Sequence, residues 1–428
     1  MFCTSHTSFP FHKAVSFLTV LLMVSIYGCR PNQNTPDNSS SEDITDTEEM
    51  QTTPELTTPT FEGLEKSVYV YVENSGSMYG YVGAGEWSDF RNVVYNYLTD
   101  IDASRIFDKI HLNFINSETT HLSPSIEDFV KKLTPQSFQV SNGNSGATDI
   151  ANIIKKIYPT DGSVAVLVSD CIVSPGKGYN AAEYLVNQQT GIKGFLAKQE
   201  NIDNTGVIIY RMLGNFKGYY YDTVDSKKHL ECKRPYYIWV MGDIETLKQM
   251  REVIEPKLKQ TPDQICALSK DNNQFSYSIL AGGGKYKLSR SNKNAIEKAG
   301  KVQTPTGNRF VVQIAADFSK MLQDDDFLTD ASNYTLSDPS FRIDNIKKTD
   351  TKYLITISRD RIKKGVINVI LRNKPPFWVD ECSDDSGGFP DKNESPQKTF
   401  GLSYIIGGVY DAFTFNSDNL ANMEITIK

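Results

Sequence analysis

The segment Val164-Ala-Val-Leu-Val168 is apolar throughout, with no polar residue interrupting it. A strand with one face in water alternates apolar and polar positions, whereas a strand without alternation must be covered on both faces. Covering both faces of a sheet takes helices on each side, so this segment alone points to an α/β layer architecture. Its surroundings agree. Ser67–Val72, Lys109–Ile115, Thr205–Arg211 and Tyr236–Met241 read as further strands, rich in β-branched and aromatic residues. Phe90, Val93, Val94, Tyr97, Leu98 and Ile101 recur at the spacing of one helix face. Ile150, Ile153, Ile154 and Ile157 do the same, and further helices are expected near 125–133, 180–198 and 243–256. Strands alternating with helices over residues 65–257 predict a doubly wound, mostly parallel, Rossmann-like sheet.

From residue 258 the pattern changes. Phe275–Leu280, Phe310–Ala315, Phe341–Ile346, Lys352–Ser358 and Val366–Leu371 are β-like runs separated by turn residues. That spacing predicts a β-rich second domain over 258–428, a sandwich of immunoglobulin-like type. Gly401–Phe413 reads as a helix docking on the sandwich, and Met423–Lys428 as a final strand. The acidic stretch Asp380–Asp385 reads as a solvated loop, because its spacing differs from that of an EF-hand.

The N-terminus reads as an address. His12 and Lys13 precede the apolar run Ala14–Tyr27. As a helix that run covers about 21 Å, short of the hydrocarbon core of about 30 Å. It therefore reads as the core of a signal peptide over residues 1–28. Ile26-Tyr27-Gly28-Cys29 resembles a bacterial lipobox, which implies lipidation of Cys29 and membrane anchoring without a spanning helix. Residues 29–64 are rich in Thr, Ser, Pro, Asn and acid, and read as a flexible tether. The implied location is the bacterial cell envelope, outside the cytoplasm.

Composition excludes some functions. The net charge is −7, so no basic excess exists to neutralise phosphates, and a dedicated nucleic-acid binder is excluded. Only five His are present, with no pair at metal-ligand spacing, which argues against a zinc enzyme. Cys171, Cys232, Cys266 and Cys382 would remain in a mature chain. They read either as buried thiols or as disulfides, with the connectivity open.

The chemistry gathers after the strands, where ligand crevices of α/β sheets lie. The first strand runs into Glu73-Asn-Ser75-Gly-Ser77-Met78, the helix near 150 is preceded by Gly146-Ala-Thr148-Asp149, and the apolar strand ends in Ser169-Asp170. Hydroxyls and carboxylates form an oxygen-only donor set suited to Mg²⁺, Mn²⁺ or Ca²⁺. This arrangement resembles the von Willebrand factor type A domain and its metal-ion-dependent adhesion site. The resemblance implies Ser75, Ser77, Thr148 and Asp170 as metal-site residues. Glu73 stands where the family has Asp, one methylene longer. It would bind the ion directly, bind it through water, or displace it. Tyr79, Tyr81 and Trp87 read as packing on the domain's own loops or as an aromatic rim for a partner.

The resemblance implies a binding protein rather than an enzyme. Its protein partner would supply an acidic side chain to the metal. Two other readings stand beside it. A metal-free module of an envelope assembly follows if Glu73 displaces the ion. A metal-assisted serine hydrolase is disfavoured: Gly-x-Ser-x-Gly is missing here and no His lies in a loop facing the serines.

Overall fold

The computed structural model describes residues 65–83, 88–122, 125–141, 143, 149–173, 175, 178, 180–223, 226–270, 275–389 and 397–428. The expected signal peptide, Cys29, the tether, Trp87 and Thr148 lie outside the described residues.

Seven strands build the first sheet: β1 (Ser67–Glu73), β2 (Lys109–Ile115), β3 (Thr119–His121), β4 (Val164–Ser169), β5 (Thr205–Tyr221), β6 (Lys227–Asp243) and β7 (Gln264–Ser269). Their spatial order is β3-β2-β1-β4-β6-β5-β7. β1 runs parallel to β2 and to β4. The remaining neighbours pair antiparallel. The sheet is therefore mixed rather than mostly parallel. The reason is the connection between β5 and β6. Parallel neighbours need a long crossover, whereas these two strands are joined by a short turn and must run antiparallel. In sequence, Gly214–Lys233 reads as a long hairpin or a loop insertion, and it is the hairpin: one continuous pairing runs from Thr205↔Asp243 out to Tyr221↔Lys227.

All of β4 is buried, as its unbroken apolar run requires. Successive side chains point to opposite faces. Val164, Val166 and Val168 enter one core, while Ala165 and Leu167 enter the other. The first core is closed by the helices Asp89–Ser104 and Ile244–Val253, through Phe90, Val94, Leu98, Leu247 and Met250. Ser88 and Asp243 cap these helices, accepting from the amides of Arg91 and Thr246. The second core is closed by Ile150–Ile157, Ala181–Leu196 and Leu402–Phe413. The last of these does not dock on the β-rich layers, contrary to the sequence expectation. Its face of Leu402, Ile405, Ile406 and Val409 joins the second core instead. Gly408 makes the seat possible, since a Cβ there would collide with the Gln189 backbone and Ile192.

The rest of the described chain forms two further five-stranded sheets of mostly antiparallel strands, neither a closed barrel, and a short parallel pairing of Ser383–Asp384 with Thr399–Phe400. Gly307–Asp317 pairs with Tyr353–Arg359 in one, and Gly365–Arg372 pairs with Asn419–Ile427 in the other. Phe310, Val312, Ile314, Ile355 and Ile357 meet Ile367, Val369, Met423 and Ile425 in a single shared core. Among the described residues no helix is long and apolar enough to cross a membrane.

Candidate functional site

Parallel pairing of β1 with β4 brings their carboxyl ends side by side, Val72 opposite Val168. The chain leaves β1 at Glu73 and turns through Ser75 into a short 3₁₀ turn, Gly76–Met78. Met78 is fully buried and anchors that turn in the first core. The Ser75 and Ser77 hydroxyls lie 2.9 Å apart. Ser75 is 3% exposed, so its oxygen is held within the protein rather than presented on a mobile side chain.

Asp170 follows β4 directly and is 1% exposed. One carboxylate oxygen accepts from the Ile172 amide at 3.2 Å. The other, Oδ2, is buried without a hydrogen-bond partner among the described residues. Burial pushes the Asp170 pKa up to about 6, against the opposing pull of the Ile172 amide, the Ser77 hydroxyl and the Arg234 guanidinium. Ser75, Ser77 and Asp170 are thus brought together.

Glu73 closes the end of β1. It is fully buried, and its carboxylate accepts from the Ser169 hydroxyl on the neighbouring strand. The Ser169 oxygen in turn accepts from the Cys171 amide at 2.8 Å. Cys171 adopts φ +56°, the left-handed region that non-glycine residues rarely occupy. Its sulfur accepts from the Trp239 indole at 3.2 Å. The thiol is buried, and burial raises its pKa far above the ordinary range. Cys171, Cys232, Cys266 and Cys382 are all free thiols. Asp149, next to the undescribed Thr148, caps its helix by accepting from the Asn152 amide at 3.0 Å. It also accepts from the Gln188 side chain, which ties it to Ala181–Leu196.

The sequence reading missed Arg234. It lies on β6, opposite Gly214 on β5, and is 1% exposed. None of its three guanidinium nitrogens has a hydrogen-bond partner among the described residues. The group lies over the rings of Tyr220, at 4.5 Å, and Phe216, at 5.8 Å. The available signal was the pair Lys233-Arg234, separated by Pro235 from the apolar run Tyr236–Met241. The hairpin that carries it presses on the serine turn. A Cβ at Gly218 would sit 2.6 Å from the Gly80 Cα, so two glycines allow this approach. Tyr81 is fully buried against Phe90, Phe216 and Tyr236, so it serves packing and not a rim.

The donor set fits a hard cation in part. Two close hydroxyls and an unpartnered carboxylate oxygen are suitable ligands, and a buried polar atom left unpaired calls for a water or an ion. Glu73 accepts from the Ser169 hydroxyl, and Arg234 already supplies positive charge. His111 stacks on Tyr69 and His121 bonds to Asn113, so neither imidazole is presented to the serines as a base.

Comparison with protein-family models, curated proteins and solved structures gives no match.

Proposed function

We propose that this chain is a lipid-anchored protein of the bacterial cell envelope that binds a protein partner through a divalent cation. In this reading the α/β layer is a von Willebrand factor type A-like module, and the β-rich layers are an immunoglobulin-like spacer. Ser75, Ser77 and Asp170 would hold Mg²⁺, with Mn²⁺ or Ca²⁺ as substitutes, and Thr148 would complete the protein's share. Glu73 would act from behind, orienting Ser169 and the Cys171 turn. A bound cation would attract an acidic side chain of the partner. Cys29 would carry the lipid.

One observation carries the reading. The 2.9 Å pair of serine hydroxyls and the unpartnered Asp170 Oδ2 belong to loops at the same end of two adjacent strands. The test is calorimetric titration of Mg²⁺, Mn²⁺ and Ca²⁺ into the full-length chain and its Ser77→Ala variant. Saturable binding that disappears in Ser77→Ala, with the fold intact by circular dichroism, supports the site. Equal affinity in both proteins eliminates it.

The charge arrangement favours a second reading, a metal-free module of an envelope assembly. Arg234 is a permanent cation within electrostatic reach of Asp170, and Glu73 bonds the Ser169 hydroxyl. Binding absent from the wild type at millimolar cation would select that reading.

A further inference from the structure

Away from the serine turn, the edge strand β7 faces the β-rich layers across a cleft of about 440 Å³. That volume is within the usual range for ligand sites. The two sites share no residue. The walls of the cleft differ in character. On one side stand Asp324, Asp326 and Asp330, with Asp263 nearby. On the other, Phe377 and Trp378 form an apolar wall, and Phe377 is 75% exposed.

Charge in the cleft is unbalanced. Asp263 is paired with Arg211. Lys374 is the cationic residue that lines the cleft among the described residues, and its ammonium donates to the Ser332 carbonyl. Three carboxylates thus face one ammonium. Asp324 accepts from the Phe327 amide and Asp330 from the Ser332 amide. No hydrogen bond or ion pair reaches the Asp326 side chain among the described residues.

A second observation is independent of the acids. Gln323 also lines the cleft, is 6% exposed, and neither atom of its amide has a hydrogen-bond partner among the described residues. Leaving a buried amide unpaired costs stability. A carboxamide sets an N–H donor beside a carbonyl acceptor, which matches the complementary pair of a peptide group. The main chain of β7 does not offer the same invitation. The Trp378 indole already donates to the Ile265 carbonyl, and Asn373 to that of Ser269.

We propose that this cleft receives a Lys or Arg side chain of a partner protein's extended segment. The cationic head sits among Asp324, Asp326 and Asp330. The aliphatic stem lies across Phe377, and the adjoining peptide group meets Gln323. The chain's own residues 30–63 are acidic, with Arg30 their one basic residue, so charge excludes them as occupant.

The test uses the full-length chain and calorimetry at low salt. The probes are blocked Gly-Lys-Gly and Gly-Arg-Gly peptides, their norleucine and glutamate counterparts, and maltotriose. Saturable binding of a basic peptide is expected, at least about tenfold weaker for norleucine and lost for glutamate. Asp326→Asn and Phe377→Ala alter exposed side chains and should each weaken binding about threefold to fivefold. Gln323→Leu should weaken binding while raising the melting temperature, because it removes an unpaired buried amide. A variant set that binds the basic peptides as the wild type does would overturn the assignment. So would the lack of saturable binding, or binding of maltotriose in preference to both basic peptides.

Discussion

Asp170 and Arg234 are buried within electrostatic reach of each other, yet they form no ion pair, and each keeps polar atoms without a partner among the described residues. A carboxylate and a guanidinium in direct contact form a bidentate bridge. Here Arg234 is held instead over Tyr220 and Phe216. The charges of the site are therefore set by two separate parts of the chain, the end of β4 and the hairpin of β5 and β6.

Arg234→Met tests that arrangement. The substitution removes a positive charge that opposes cation entry, so Mg²⁺ affinity should rise by about tenfold. Stability should change little, because the guanidinium lacks hydrogen bonds and methionine keeps the stem packing. Calorimetric titration with a thermal melt measures both. Weaker Mg²⁺ binding in the variant would show that Arg234 supports the site.

Glu73→Asp shortens the side chain and draws it out of reach of Ser169. Leaving the buried Ser169 hydroxyl without this partner should lower stability by roughly 1–3 kcal/mol. Urea unfolding of wild type and variant gives the difference. A midpoint equal to that of the wild type would mean that the bond to Ser169 contributes nothing.

Asp170 predicts a pH dependence. Its folded pKa is pushed up to about 6 by burial, above the unfolded value of about 3.9. Between these values the folded state holds the proton more tightly. This residue's contribution to stability is therefore greatest at low pH and is lost as pH rises from about 4 to about 6. Asp170→Asn should remove that part of the slope. A difference between wild type and variant that stays constant across the window would refute the assignment. A cation competes with the same proton, so stabilisation by Mg²⁺ should be larger at neutral pH than near about pH 5.

Gly218→Ala tests the seat of the hairpin. Its Cβ would sit 2.6 Å from the Gly80 Cα, closer than real contacts allow. Backbone must move, at a cost of roughly 1–3 kcal/mol. Disturbance of the serine turn should weaken cation binding as well. A thermal melt identical to the wild type would show that the hairpin lifts away freely.

Much of the α/β layer was legible in sequence, because burial on both faces leaves a local mark. The unbroken run Val164–Val168 marked the buried strand, and the isoleucines of 150–157 marked a helix face. The close pairing of Ser75 with Ser77, and the place of Asp170 after β4, followed from local spacing and strand ends. Strand direction was not legible, because it depends on which strands become neighbours. The outer halves of β5 and β6 alternate, with Phe216 and Tyr220 buried between exposed Asn215, Lys217 and Tyr219, but that period alone does not say which strand they pair with. The final helix announced its apolar face but not its partner, since the two available cores are chemically alike. Arg234 lies 64 residues beyond Asp170 in the chain. Only the antiparallel register of β4, β6 and β5 brings its charge to the site, and only the tertiary structure commits Glu73 to Ser169.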